Sequence, residues 1–263
     1  MSIELKSPAE IAVIREACLV VVEVLDLLEE AVQVGMSTFD LDALARERCL
    51  ALGAQPAFLG LYGFPASLCI SLNEEVVHGI PSRRRVLQDG DLVSCDFGAK
   101  LGEFYGDAAR TYLVGAASDE ARRLVTATEE SLELAIAQCQ PGNRLGDIGA
   151  AVQRHVESRG FAVVRDFVGH GIGRLPHEDP QVKNYGLPRR GKRLEEGLVI
   201  CIEPMVNAGT WEVQVLEDEW TVVTRDRRLS AHFEHTVAVT ASGPEVLTRR
   251  PGASSPTPAP TAG

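Results

Sequence analysis

The sequence predicts an α+β fold made of two related halves, with strands in a shared antiparallel sheet core and helices packed outside it. Three observations predict it. Two helical stretches lead into strand-like runs, and after residue 115 the same plan starts again. Shifting the chain by 107 residues aligns Glu23 with Glu130, Leu25 with Leu132, Gln33 with Gln140, Gly35 with Gly142, Asp40 with Asp147 and Gly53 with Gly160, with no gap. That shift preserves the Gln-x-Gly link between the helices and the glycine that stops the second one, which chance identities would not do. Finally, the runs 198–204 and 231–239 give the second half strands to match the hairpin of the first. A single domain, 1–248, is expected, with halves of about 8–115 and 116–248 and a pseudo-symmetric cleft between them.

Each element has its own signal. Ser7-Pro8-Ala9-Glu10 is a capping box with proline at the first helical position, and Ile11, Ile14, Cys18, Val21, Leu25 and Leu28 follow at helical spacing. After Gly35, the run from Ser37 to Asp40 opens a second helix with Leu41, Leu44, Cys49 and Leu52 inward and Gly53 at its end. Strands are expected over 67–71 and 76–78. Residues 91–113 carry Asp96 and Asp107, which on one continuous strand would face opposite sides of the sheet. A hairpin brings them together: a turn centred on Leu101-Gly102 sets Asp96 opposite Asp107 and Lys100 opposite Glu103. Facing carboxylates repel. Ser118 caps a third helix through Leu124, Leu132 and Ile136 to Cys139, a fourth runs from about Leu145 to Gly160, and 212–224 reads as a further hairpin. Glu203 and Glu234 each stand among apolar neighbours in the second half's strands. Residues 249–263 are rich in proline, serine and alanine without apolar periodicity, the composition of a disordered tail.

With 45% hydrophobic and 24% charged residues, the 263-residue chain has the apolar content for one large core. Its net charge of -11 argues against a sequence-independent grip on nucleic acid. Basic clusters occur locally, at Arg83, Arg84 and Arg85 and at Arg189, Arg190, Lys192 and Arg193. No apolar stretch follows a basic start, and the longest apolar helix carries Glu16, Glu23 and Asp26. Neither a signal peptide nor a membrane span is expected, and a cytoplasmic location is. The six cysteines form no Cys-x-x-Cys pair and read as free thiols.

Asp96, Asp107, Glu203 and Glu234 pose a chemical problem if one cleft holds all four, because buried like charges lose hydration and repel. Shared divalent cations are the natural solution. His170, in Val168-Gly-His-Gly-Ile-Gly173, offers a nitrogen, although a lone histidine in a glycine-rich loop is more often structural or solvated. The loop is a poor phosphate cradle, since Pro176 follows too soon for a supporting helix. There is no His-Glu-x-x-His pair and no Gly-x-Ser-x-Gly elbow.

Those five residues, in that order, come with Cys69-Ile-Ser71, Val77-His-Gly-Ile-Pro81, Gly169-His-Gly-Ile-Gly173, His177-Glu178, Ile202-Glu-Pro-Met-Val-Asn-Ala-Gly209 and Glu234-His-Thr236. Together they resemble the methionine aminopeptidases of the short bacterial type 1 form, over roughly residues 3–248. The resemblance implies the pita-bread fold and removal of the N-terminal methionine from nascent proteins and peptides whose second residue is small. It implies a dinuclear site with Asp96 on one ion, His170 and Glu203 on the other, and Asp107 and Glu234 on both. Oxygen and imidazole ligands suit Co, Mn, Fe or Zn alike. By the same resemblance Glu203 shuttles the proton between the attacking water and the leaving amine. His177 stabilises the developing oxyanion, and His78 contacts the scissile nitrogen or the next residue. Cys95 and Cys201 are assigned to packing.

Phe58, Leu61, Phe64, Cys69 and Trp220, with His78 and His177, are the expected substrate pocket, apolar and aromatic enough for a thioether. Here the chain departs from the family, which commonly has tyrosine in place of Leu61 and Phe64, cysteine in place of Phe58 and phenylalanine in place of Pro176. Met1-Ser2 is itself a fitting substrate. A proline-specific peptidase of the same fold is the rival enzyme; such proteins usually carry an extra N-terminal domain, for which residues 1–7 leave no room. A non-catalytic binding module of this fold predicts lost ligands, whereas all five are present. The expected partners are nascent N-termini and, transiently, the ribosome, reached through the two basic clusters. No membrane or specific nucleic acid is expected, and the chain is read as a monomer.

Overall fold

The computed structural model describes residues 3–250 and Gly252. Helix α1 (Pro8–Ala31) starts where the capping box places it: the Ser7 hydroxyl accepts from the Glu10 N–H, and the Glu10 carboxylate accepts from the Ser7 N–H at 2.9 Å. Helix α2 (Thr38–Ala51) begins on Ser37, which accepts from the Asp40 N–H. Helix α3 (Asp119–Ile136) stops three residues before the expected Cys139. There the chain tightens into a turn, with the Cys139 N–H donating to the Ile136 carbonyl, and Cys139 still packs into the core. Helix α4 (Leu145–Ser158) is capped by Asp147, which accepts from the Arg144 N–H.

The first half contributes strands β1 (Gln55–Pro56), β2 (Cys69–Leu72), β3 (Glu75–Val77), β4 (Leu92–Leu101) and β5 (Phe104–Leu113). The second contributes β6 (Ala162–Val163), β7 (Gly169–Gly171), β8 (Glu178–Val182), β9 (Val199–Ile202), β10 (Met205–Asn207), β11 (Val213–Val215), β12 (Val222–Thr224), β13 (Ser230–His232), β14 (Glu234–Thr240) and β15 (Gly243–Val246). The main sheet runs β1-β4-β5-β14-β9-β7-β8, with β2 added on β4 and β15 on β14. Its strand pairs are all antiparallel, and β5 meets β14 at the join between the halves. The hairpin expected over 212–224 forms from β11 and β12.

The β4–β5 register differs from the expectation. Asp96 pairs with Ala109, Asp107 with Gly98 and Lys100 with Tyr105, so the two-residue loop is Gly102-Glu103. Gly102 adopts φ 61 at the first loop position, as a tight hairpin turn demands of glycine. The slip is two residues, and a two-residue slip leaves every side chain on its face. Asp96 and Asp107 therefore share a face, staggered rather than opposed.

Two expected strands are also broken. The run 198–204 divides at Glu203-Pro204, because β9 belongs to the main sheet while β10 crosses into a second sheet with β13 and β6. Proline has no N–H to extend the first ladder. The run 231–239 divides at Phe233, because β13 pairs with β10 in the second sheet while β14 belongs to the main one. Glu203 and Glu234 thus stand at the points where the chain changes sheets.

Alternation along the strands separates core from site. Cys95 and Phe97 pack under α1 and α2 with Leu25, Leu28 and Leu41, and Ile200, Ile202 and Val237 pack under α3 and α4 with Leu124, Leu132 and Ile148. The carboxylates lie on the other face. At the C-terminus, Arg249 pairs with Glu133 and Arg250 with Asp26 and Glu23, the latter two at 2.7 and 2.9 Å. These two residues, placed in the tail by composition, are fastened to α3 and α1; the rest of the expected tail, apart from Gly252, lies outside the described residues.

Candidate metal centre

Asp96 on β4, Asp107 on β5, His170 on β7, Glu203 just past β9 and Glu234 at the start of β14 all line one cleft of about 460 Å³. The duplication explains part of this gathering, since the 107-residue shift that relates the halves also carries Asp96 onto Glu203. The Glu203 backbone is held by Asn184, whose side-chain N–H donates to the Glu203 carbonyl at 2.9 Å. Across the join, the Thr236 hydroxyl donates to the Asp107 carbonyl at 2.7 Å and accepts from the Asp107 N–H. That contact fixes one half's carboxylate against the other half's strand.

The carboxylates are strained in a way that calls for cations. Asp96 Oδ1, Asp107 Oδ1 and Glu234 Oε1 are buried with no hydrogen-bond partner. Burial pushes the Asp96 carboxyl up to about 7. Burial and mutual repulsion hold Asp107, Glu203 and Glu234 well above the usual carboxylate range. Orphaned, desolvated anionic oxygens aimed into one space suit a divalent cation. Asp107, His170, Cys201 and Glu234 each bring a ligand atom to within 4.8 Å of the others, so this set could hold a metal ion.

His170 is prepared for that duty. Its Nδ1 lies 3.0 Å from the Gly171 carbonyl, which can only accept, so the ring proton sits on Nδ1 and Nε2 presents a lone pair. Nε2 stands 3.5 Å from Glu203 Oε1. Desolvation brings the His170 imidazole down to about 4, and His78 likewise to about 4, leaving both rings neutral near neutral pH. His177 lies across from His170, with ring centroids 4.5 Å apart.

Phe58, Leu61, Phe64, Cys69 and Trp220 form one apolar cluster on the cleft wall, with Phe64 edge-on to Trp220 at 5.1 Å. His78 lines the same wall, edge-on to Phe167 and Trp220. Sequence reasoning missed Tyr62, Phe167 and Met205, which line the cleft as well. Tyr62 stacks on His177 at 6.1 Å from a positive φ of 51, and nothing in the sequence marks a tyrosine for that conformation. Cys95 faces the core as expected. Cys201, assigned to packing, is buried in an apolar cluster but also turns its sulfur toward Glu234 and Asp107.

This electrostatic frustration has a measurable sign. In the cation-free protein Asp96 keeps its proton from its ordinary value of 3.8 up to about 7, where the unfolded chain has lost it. The folded state then binds more protons than the unfolded state, so stability falls as pH rises through that window. In the same window His170 and His78, neutral when folded and protonated when unfolded, act in the opposite sense, so the carboxylate contribution is read by difference. The melting temperature of chelated protein minus that of chelated Asp96→Asn is expected to drop between pH 4 and 7. A difference that is flat or rising over this range would contradict the carboxylate assignment.

Comparison with known proteins agrees with the geometry. A methionine aminopeptidase of Clostridium perfringens is 53% identical over 244 residues, covering 93% of this chain and 98% of that protein. The crystal structure of methionine aminopeptidase from Thermotoga maritima superposes with a TM-score of 0.93 at 45% identity, covering 95% of this chain and 100% of that one. The prolidase of Pyrococcus furiosus shares the fold alone, with a TM-score of 0.75 at 24% identity over 93% of this chain and 65% of that one. The profile of metallopeptidase family M24 matches residues 12–241. With its duplicated sheet, its outer helices and its cleft of carboxylates, this chain is a member of metallopeptidase family M24 and has the pita-bread fold of that family.

Proposed function

We propose that this protein is a methionine aminopeptidase, which removes the N-terminal methionine of nascent proteins and peptides whose second residue is small. One observation carries the reading: the orphaned carboxylates and the apolar Phe58-Phe64-Cys69-Trp220 wall line the same cleft. Asp96 would hold one divalent cation, His170 and Glu203 a second, and Asp107 and Glu234 both, with Co, Mn, Fe or Zn chemically suited. When bound, such a pair supplies Lewis-acid activation of water and polarises the scissile carbonyl.

The chain's own residues do the rest. The apolar wall takes the methionine side chain, replacing its water shell with aromatic and sulfur contacts. Glu203 takes a proton from the attacking water and returns it to the leaving amine, a task for a carboxylate whose proton affinity burial has raised. His177, at the mouth beside His170, donates to the carbonyl oxygen as negative charge develops. His78, held neutral by burial, donates to or accepts from the peptide nitrogen that follows.

The test is purified protein with Met-Ala-Ser, a leucine-initiated peptide and an Xaa-Pro peptide, each with metal added and chelated. Metal-dependent release of methionine from the first alone is expected. Cleavage of the Xaa-Pro peptide would favour the proline-specific reading instead, and stoichiometric binding without turnover would favour a binding module.

The same reading sets the protein in the cytoplasm as a monomer working on emerging chains. Arg85 is committed internally to Glu75 and to the Ile80 carbonyl, and Arg83 stacks on Phe39. Transient docking on the ribosome would use Arg189, Arg190, Lys192 and Arg193, all exposed, together with the exposed Arg83 and Arg84.

A further inference from the structure

Cys201 occupies a position that the proposed hydrolysis does not use. On β9 it shares the face of Glu203, and on the neighbouring strand it is registered opposite Thr236, two residues from Glu234. Its thiol is fully buried, with Sγ 3.6 Å from the Thr236 hydroxyl, and it also interacts with the Glu234 carboxylate. That hydroxyl already donates to the Asp107 carbonyl, so the sulfur is not engaged as an acceptor there. Sγ lies with ligand atoms of Asp107, His170 and Glu234 inside a 4.8 Å group. Cys69, the cysteine that lines the cleft, is registered opposite Asp96 and stands outside that group. Cys95 points into the core.

Two carboxylates and an imidazole do not choose among first-row divalent ions, whereas a sulfur does, because thiolate prefers soft cations. We propose that Cys201 is a latent sulfur ligand of this centre, engaged by thiophilic cations such as zinc or cadmium and left unused by manganese. The inference rests on the metal-centre reading above. Ligation exchanges the S–H bond for a metal–sulfur bond and releases one proton to solvent. With Cys201 taking the place of Glu203 on the ion that His170 binds, Asp107, His170, Glu234 and Cys201 make a four-ligand set of the number that zinc takes in closed sites. A closed set leaves no open position for substrate, so the sulfur-bound form is an inhibited one.

X-ray absorption at the metal edge tests this on full-length protein that has been chelated and reloaded with zinc or with manganese. Zinc-loaded wild type is expected to show a sulfur neighbour at about 2.3 Å, Cys201→Ser to lose it, and Cys69→Ser to keep it. Manganese-loaded protein should show nitrogen and oxygen only. In equilibrium titrations Cys201→Ser is expected to weaken zinc binding by about tenfold or more and to leave manganese binding unchanged. Zinc-loaded wild type with only nitrogen and oxygen neighbours would overturn the sulfur assignment while leaving the metal centre intact, as would a sulfur neighbour that survives in Cys201→Ser. Failure of both metals to bind would remove the metal centre itself, and this inference with it. Should Cys201→Ser fold poorly, the wild-type and Cys69→Ser spectra together decide the point: a zinc–sulfur neighbour present in the wild type and lost in Cys69→Ser would overturn the assignment.

Discussion

Replacing Glu203 with glutamine is expected to lower kcat for methionine release by about 10³-fold with little change in KM. The substitution keeps the side chain's size and removes its basicity. In this cleft Glu203 stands 3.5 Å from the ring of His170, inside the carboxylate cluster, and it is the group assigned to move the proton. A step that exists only in the transition state shows in kcat and not in ground-state binding. The same variant separates a chemical role from a structural one. Removing one of several repelling carboxylates should make the chelated protein more stable at neutral pH, even as activity is lost. Near-wild-type kcat in metal-loaded Glu203→Gln, or a chelated variant less stable than the parent, would reject the role.

Gly106→Ala is expected to have a large effect on the fold. A Cβ at this position would sit 2.6 Å from the Cys18 nitrogen, 2.8 Å from the Cys18 Cα and 2.9 Å from the Ala17 carbonyl carbon. All three are backbone atoms of α1, so no side chain can swing aside. The helix must lift from β5, at a cost of about 3 kcal/mol, which corresponds to a fall of roughly 9 °C in melting temperature. Asp107 is the next residue, so the displacement also reaches the site, and metal affinity should fall with stability. Calorimetry of metal-loaded parent and variant measures it; a shift below about 1 °C would mean that α1 does not pack as closely as described.

Much of this architecture is legible in the chain because the strongest local signals agree with the global fold. Ser7 and Ser37 cap the helices they announce, and the Gln-x-Gly repeat marks the duplication. Register was not legible. Leu101-Gly102 and Gly102-Glu103 are both acceptable turn centres, and the face of Asp96 is the same under either, so alternation alone cannot choose between them. The symmetry was readable only in part: the shift that relates Asp96 to Glu203 fails for Asp107 and Glu234, because the β11–β12 hairpin lengthens the second half. Tyr62 was invisible for another reason. Its left-handed backbone comes from the loop between Gly60 and Phe64, and propensity would assign such a site to glycine.

The claim on which the rest depends is that these five side chains hold a pair of divalent cations. Anomalous diffraction at the metal edge, from crystals of chelated protein reloaded with manganese, tests it directly. The account predicts two peaks in the cleft, both in contact with Asp107 and Glu234, one reached by Asp96 and the other by His170 and Glu203. Fewer than two peaks, or peaks held by other side chains, would contradict it.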